Sequence, residues 1–439
     1  MRFETDHQIR SWGRIGKRVH SVARPNFVQD VLRWNATNVS PRLAVGNRRS
    51  YSDVCLSGGG QLIDMTRLNR FRSFDPETGV LVAEAGVTIG DLLKTFVPRG
   101  FFVPVTPGTQ FVTLGGAVAN DVHGKNHHRA GTFGSHVEHV VLERSGEGSI
   151  RAGPAERANL FAATIGGLGL TGVISEVAVR LQRIPSSRLI VDQAACESLD
   201  ELCNALEEGD VQFEHNVAWI DCTGSGERLG RGLVSRANWA SDGVLEAHSQ
   251  SPRSVPTDRL DGLLNPVTLR LFNAAYYRKG KWSVGRHVSH YGPFLYPLDS
   301  IRDWNRLYGR GGFYQYQCVI PDSAGRDPVR ELLKKISASG EGSFLAVLKR
   351  FGDRRSPGLL SFPQPGLTLA LDFRNLGTRT LDLLGRLDEI VEAAGGRLYA
   401  AKDQRIPAAL FRRGYPVLEE FVRHVDPCCE SEFWKKINS

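Results

Sequence analysis

The amino-acid sequence predicts an α+β fold in two parts, on three observations. Residues 1–187 alternate short apolar strand patterns with amphipathic helical ones and glycine-rich turns. Beyond a break at Pro185-Ser-Ser the order becomes helix and strand, then strand-helix-strand-strand-helix, which suits a sheet with helices on one face. A last stretch, residues 398–439, is too short to hold a core of its own and must pack against the rest. The expected division is 1–187, 188–397 and 398–439.

In the first part, QLIDMT (61–66) and VLVAEAGV (80–87) read as strands, and FDPETG (74–79) reads as a turn with Pro76 and Gly79 at its corners. Thr88 caps a helix in which Ile89, Leu92, Leu93 and Phe96 recur at helical spacing, and Gly100 closes it. The following 101–119 is dense in Gly, Pro and Thr, a backbone suited to unusual angles. ERANLFAATIGG (156–167) reads as a helix, and Val173, Ser175, Val177, Val179 and Leu181 then alternate along a strand. In the second part SLDELCNALEEG is helical and NVAWIDC a strand, followed by a polar stretch from Gly224 to about Asp261. GFYQYQCVIP, SFLAVLKRFG and LTLALDF are strands, separated by two helices, 328–340 and 380–396.

The net charge of +8 comes from Lys and Arg interspersed with Asp and Glu, without the basic block of a nucleic-acid face. No nucleic-acid partner is expected; an acidic or phosphorylated small substrate suits the surplus. Seven scattered cysteines without CxxC spacing argue against a disulfide framework and fit a reducing, cytoplasmic compartment. The N-terminus has charges where a signal peptide needs an apolar run, and no apolar run is long enough to span a bilayer. LLNPVTLRLFNAAYYRKGKW (263–282) mixes aromatics with Arg278, Lys279 and Lys281, so it reads either as a lid or as a peripheral contact with the inner membrane surface.

Gly115 to His136 gathers glycines and four histidines. A metal site would use His123, His127, His128 and His136. Gly124 and Asn126 oppose the helix that would align His123 with His127, so no metal is expected. GLGLTG (167–172) satisfies GxGxxG by letter, yet a Rossmann fingerprint needs a strand before it and a helix after, and here the order is reversed. No Walker A sequence occurs. Successive glycines let amides face an anion, and a second glycine-bearing turn, AVGNRRSYSD (44–53), offers another wall for a phosphate cradle. From the residues alone, that cradle and a solvated loop both stand.

RRSYSD, IDMTRLN, AGVTIGDLL, the whole of 104–137, GGLGLTG and LYAAKD with its closing VDP resemble FAD oxidoreductases of the vanillyl-alcohol-oxidase type. HGKNHH and LYAAKD are similar to the branch that oxidises decaprenylphosphoryl-β-D-ribose, and the likeness runs from Trp12 to Pro427. It implies an FAD-binding domain built from 1–187 and the returning 398–439, with an antiparallel-sheet substrate domain over the flavin. The reaction implied is oxidation of a secondary alcohol on a sugar, foremost the 2′-hydroxyl of a polyprenylphosphoryl pentose. The alternative is a soluble sugar, nucleoside or antibiotic intermediate. A short-chain reductase is the implied partner.

Carried over by residue, the resemblance puts Arg49, Ser50 and Tyr51 along the flavin. Pro107, Gly108, Thr109, Gly115, Gly116, Ala117, Asn120 and Asn126 join them at the cofactor, as do Gly169, Thr171, Gly172 and Ile174. His123 and Gly124 fall near the ring. Lys125, Trp219, Gln315, Gln317, Lys349, Phe351 and Ala370 match substrate positions. Lys402 matches the family's active-site lysine, with His123 and Tyr51 expected beside it, and the implied role is either to take the hydroxyl proton or, when charged, to stabilise an alkoxide or the reduced flavin. Arg49 replaces the histidine through which related sugar oxidases hold flavin covalently, so noncovalent FAD is expected. Three departures stand out: Arg48 in place of a glycine, Leu295 in place of a tyrosine, and Ala370, with Thr368 beside it, in place of a pocket cysteine.

Overall fold

The computed structural model describes residues 1–16, 18–249, 253–258 and 264–439, so Leu263 and the end of the polar stretch at Asp261 lie outside the described residues. In the first part, Phe3–Asp6, His20–Ala23, Gln61–Asp64 and Arg42–Val45 form a four-stranded mixed sheet in that order. Phe71–Phe74, Val80–Glu84, Val173–Arg180, Val137–Arg144 and Gly148–Ala152 form a second, antiparallel one. The helix Ile89–Phe96 begins where capping chemistry starts it. Thr88 Oγ1 accepts from the Asp91 amide at 3.0 Å, the Asp91 carboxylate accepts from the Thr88 amide, and Gly100 leaves at φ 80°.

GLGLTG joins the helix Ala158–Thr164 to the strand Val173–Arg180, the reverse of a Rossmann turn.

Eight antiparallel strands make the large sheet. Their order is Gly285–His290, Arg188–Cys196, Gly232–Trp239, His215–Ile220, Val347–Phe351, Gly366–Arg374, Phe313–Pro321 and Arg397–Leu398. The polar stretch from Gly224 is corrected here, because it contains Gly232–Trp239, an inner strand. Its Leu233, Val234 and Ala237 are buried, while Arg236 meets Asp192 at 3.5 Å and Asn238 accepts from the Glu214 amide, so its polar residues are satisfied by neighbouring strands. The helices Leu199–Gln212, Asp327–Ser339 and Thr378–Ala393 bury Leu206, Leu333 and Leu387 against the same core as Leu369 and Leu371. A fourth helix, Pro266–Trp282, departs from the expectation of helices on one face, since its Tyr276 ring packs on Trp219, which faces the opposite side of the sheet.

The chain's end straps the first part. The Arg42 amide donates to Cys428 O, Glu430 N donates back to Arg42 O, and the Asp426 carboxylate accepts from both the amide and hydroxyl of Ser145. One buried cluster runs from Val22, Leu43 and Leu62 through Leu369 to Phe421 and Ile437, so the parts share a core.

Candidate active site

A cavity of about 780 Å³ lies between the glycine-rich loops and the free face of the large sheet. The antiparallel register writes one wall. Trp219, Val347, Ala370 and Gln317 are successive cross-strand partners, and Gln315 pairs with Asp372 two residues further along the same face. Alternation in YQYQ and LTLALDF therefore sends the polar set to the cavity and Leu369 and Leu371 to the core.

The opposite wall fits a pyrophosphate-bearing cofactor. The amides of Asn47, Arg48, Arg49 and Ser50 donate to no acceptor among the described residues, which leaves four consecutive donors for an anion. Arg49 Nε and Asn120 Oδ1 are buried without partners. Close approach is enforced, since a Cβ at Gly46 would lie 2.1 Å from Thr113 Oγ1 and one at Gly115 would lie 2.9 Å from Ala85 Cβ. Arg48 holds φ 49°, the left-handed conformation that favours the glycine it replaces, with Nη1 3.5 Å from Asp64. The Arg49 guanidinium lies 4.4 Å from the Trp12 ring and 5.4 Å from that of Phe111. Gly46→Ala is expected to displace Thr113, the cap of the helix Leu114–Ala119, at a cost of about 1–3 kcal/mol, and to yield protein with sub-stoichiometric FAD. Full flavin loading at unchanged stability, read by absorbance and thermal melting, contradicts this.

At the reactive end Lys402 Nζ sits 4.2 Å from the centre of the Tyr51 ring. Burial pushes its ammonium down to about 8, and the nearby Asp372 charge works against that. Asp372 itself is pushed up to about 7 by burial, though Gln315 Nε2 donates to it at 2.7 Å and the Tyr308 hydroxyl at 3.2 Å. His123 presents Nδ1 3.1 Å from Lys349 Nζ and Nε2 3.1 Å from Gln317 Nε2. Burial and then the charge of Lys349 hold it well below the usual imidazole range, so the ring is neutral.

The structure brings most of the expected residues together. Arg49, Ser50, Tyr51, Pro107, Gly108 and Thr109 line the cavity, with Gly115, Gly116, Asn120, His123 and Gly124, and with Gly169, Gly172 and Ile174. Lys125, Trp219, Gln315, Gln317, Lys349, Ala370 and Lys402 line it as well. Four stand behind the wall and are corrected to supporting positions. Ala117 is fully buried on the inner side of its helix, Asn126 Nδ2 donates to Pro104 O, Thr171 Oγ1 meets Thr164 Oγ1 at 2.9 Å, and Phe351 packs beneath the rings of His123 and His127.

Asp372 was not anticipated; its signal is the position two beyond Ala370 on the same strand face. Leu295 is buried on the wall beside Tyr296, whose hydroxyl meets Thr106 Oγ1 at 2.7 Å. Of the seven buried cysteines, Cys55 touches the cavity, with a thiol pushed up to about 12 by burial. Among the described residues no three His, Cys, Asp or Glu side chains gather as metal ligands do, and no helix is long and apolar enough to cross a membrane.

Residues 17–152 match the family of FAD binding domains. Over its length the chain is 36% identical to the decaprenylphosphoryl-β-D-ribose oxidase of Mycolicibacterium smegmatis, across 96% of this chain and 95% of that one. It is 28% identical to L-gulonolactone oxidase 3 of Arabidopsis thaliana, across 72% of this chain and 60% of the relative. Similarity to the D-lactate dehydrogenase of Anaerostipes hadrus is confined to 30% of this chain, at 29% identity. The donor-rich loops, the cavity and a near full-length likeness agree, and this chain belongs to the vanillyl-alcohol-oxidase-type FAD oxidoreductases, in the family of decaprenylphosphoryl-β-D-ribose oxidase.

Proposed function

We propose that this FAD-dependent oxidoreductase converts the 2′-hydroxyl of a polyprenylphosphoryl pentose to a ketone, which a separate reductase then reduces. FAD, held noncovalently by 1–187 and 398–439, supplies the hydride acceptor when bound. The observation that carries the reading is the ordered wall: hydrogen-bonding Gln315 and Gln317 beside Lys402 at one side, and an apolar margin of Trp219 and Tyr276 at the other. The glutamines orient a sugar hydroxyl, while the apolar margin accommodates a prenyl chain. Lys402 takes the hydroxyl proton, because burial has brought its amine close to neutrality and Tyr51 holds it without neutralising it. The helix Pro266–Trp282 exposes Val267, Leu271 and Trp282 beside Arg278 and Lys279, a face suited to an anionic membrane surface where such a substrate resides.

Anaerobic addition of a short-chain polyprenylphosphoryl ribose to the holoenzyme is expected to bleach the flavin band. Bleaching by free sugars or nucleosides, with none by the lipid-linked pentose, overturns the reading. The pH dependence follows from the Lys402–Asp372 pair. The neutral lysine is the active form, so the bleaching rate at saturating substrate rises with pH through the lysine's titration near 8. The Asp372 carboxylate raises that value, so Asp372→Asn lowers it and moves the rising limb about one pH unit to the acid side. A limb that stays in place removes the coupling.

A further inference from the structure

Towards the Trp219 side of the sheet the cavity holds two lysines and no acid. Lys125 follows the glycine-rich loop, and its carbonyl accepts from the Asn216 amide at 2.8 Å, which seats it over the strand His215–Ile220. Its Nζ donates to Phe294 O and lies 4.8 Å from that ring. Lys349 comes from the adjacent strand, with Nζ donating to Gly124 O at 3.2 Å and 3.1 Å from His123 Nδ1. Neither ammonium pairs with a carboxylate among the described residues. The carboxylates on the cavity wall are Asp299 and Asp303, whose charges act on Arg49, and Asp372, which lies by Lys402. Asp210, behind this end, is occupied by His128 and Arg350. The other titratable groups facing the pair are His123, His127, His215 and, on the far side of Lys349, Lys402, all of them neutral or cationic.

Two half-buried cations, close enough for the charge of Lys125 to act on Lys349, are costly without a counter-ion unless a ligand supplies the missing charge. Both ammoniums keep N–H groups beyond those used by carbonyls and imidazole, since an ammonium has three donors. The surrounding wall is mainly apolar, formed by Val217, Trp219, Val347, Pro293 and Phe294 with Ser235 beside Val217, and Tyr276 continues it towards the exposed Phe272 and Leu271. The missing anion therefore belongs to a molecule that is apolar next to its charge.

We propose that Lys125 and Lys349 form an anion subsite that holds the phosphate ester of the substrate, with the prenyl chain leaving beneath Tyr276. This rests on the lipid-linked reading given above and assigns its phosphate to two residues. Burial and mutual repulsion push Lys349 down to about 7, and burial does the same to Lys125, so the anion is held by protonated lysines and released as they lose their protons.

The test uses oxidised holoenzyme and farnesyl monophosphate, which has no sugar to oxidise, titrated calorimetrically. Farnesyl monophosphate is expected to bind at least about tenfold more tightly than farnesol, and Lys125→Met and Lys349→Met each weaken it by about tenfold or more while leaving farnesol unaffected. Affinity falls as pH rises above 7, although the phosphate itself, with a second pKa of about 6, only gains negative charge over that range. A parallel titration with ribose 5-phosphate separates the two sources of the anion: binding lost in both variants supports the subsite and identifies soluble phosphosugars as its ligands. Wild-type affinity for farnesyl monophosphate in both variants overturns the subsite. If the lipid-linked pentose still bleaches the flavin in that case, the proposed reaction survives alone. If the variants lose affinity but the lipid-linked pentose never bleaches the flavin, the subsite survives and the proposed reaction does not.

Discussion

Lys402→Met is expected to slow substrate-dependent bleaching of the flavin by about 10²- to 10⁴-fold with FAD still bound at full occupancy. Lys402 is not among the residues that present free amides to the cofactor, so its loss leaves the pyrophosphate wall intact. Methionine keeps most of the length and apolar contact of the lysine stem, so the Tyr51 ring stays covered. What disappears is an amine that, alone among the described residues, combines a place by Asp372 with a value pushed down to about 8. Lys402→Arg sharpens the result, because a guanidinium keeps the charge yet cannot accept a proton at working pH. If charge alone were needed, arginine would restore the rate; the expectation is that it does not. An FAD-loaded Lys402→Met protein that bleaches at the wild-type rate removes Lys402 from the reaction.

The parts legible in the sequence are those where one local rule acts alone. Thr88 with Asp91 is a complete capping box within four residues, and Val173 to Arg180 is buried along most of both faces, so hydrophobic pattern and backbone agree. Gly232–Trp239 was hidden because Ser235, Arg236 and Asn238 look like loop chemistry. Only the pairing to Asp192 and Glu214, 44 and 24 residues away in the chain, makes them strand residues. The resemblance places Phe351 at the substrate, and Phe351 shares the strand parity of Lys349. It sits at the end of its strand, where the 123–127 loop crosses over it, and alternation cannot reveal that crossing. Asp372 had the opposite problem. Its position on the cavity face follows from the same alternation that places Ala370, but a lone carboxylate in an apolar strand carries no motif. Motif likeness located the loops, while register across four strands located the chemistry between them.

Asp121→Ala should be the most destabilising of these changes, because Asp121 is the acceptor that closes the cavity's outer shell. Its carboxylate accepts from the Gly134 amide at 2.8 Å and from the hydroxyls of Ser356 and Ser361, and it is fully buried. It thereby ties the end of the helix Leu114–Ala119 to the His136 turn and to a segment of the second part, 356–361. Alanine leaves two buried donors, Gly134 N and the Ser361 hydroxyl, and the half-buried Ser356 hydroxyl without an acceptor, each buried one costing about 1–3 kcal/mol where water does not enter. It must also hold φ 39°, a conformation aspartate and asparagine tolerate better than alanine. Together these set an expected loss of about 3–5 kcal/mol, a large share of the 5–15 kcal/mol typical of folded domains. Asp121→Asn keeps one carbonyl oxygen and tolerates the backbone angle, so it should lose markedly less. Urea unfolding of the apoprotein separates the two variants, and FAD titration of the folded fraction reads the consequence for the site: the loops that Asp121 anchors are the ones that bear Gly115, Gly116 and Asn120 on the cavity wall. An alanine variant within about 1 kcal/mol of wild type that also keeps full FAD affinity would mean that water or a shifted serine supplies what the carboxylate does, and that the shell is held from elsewhere.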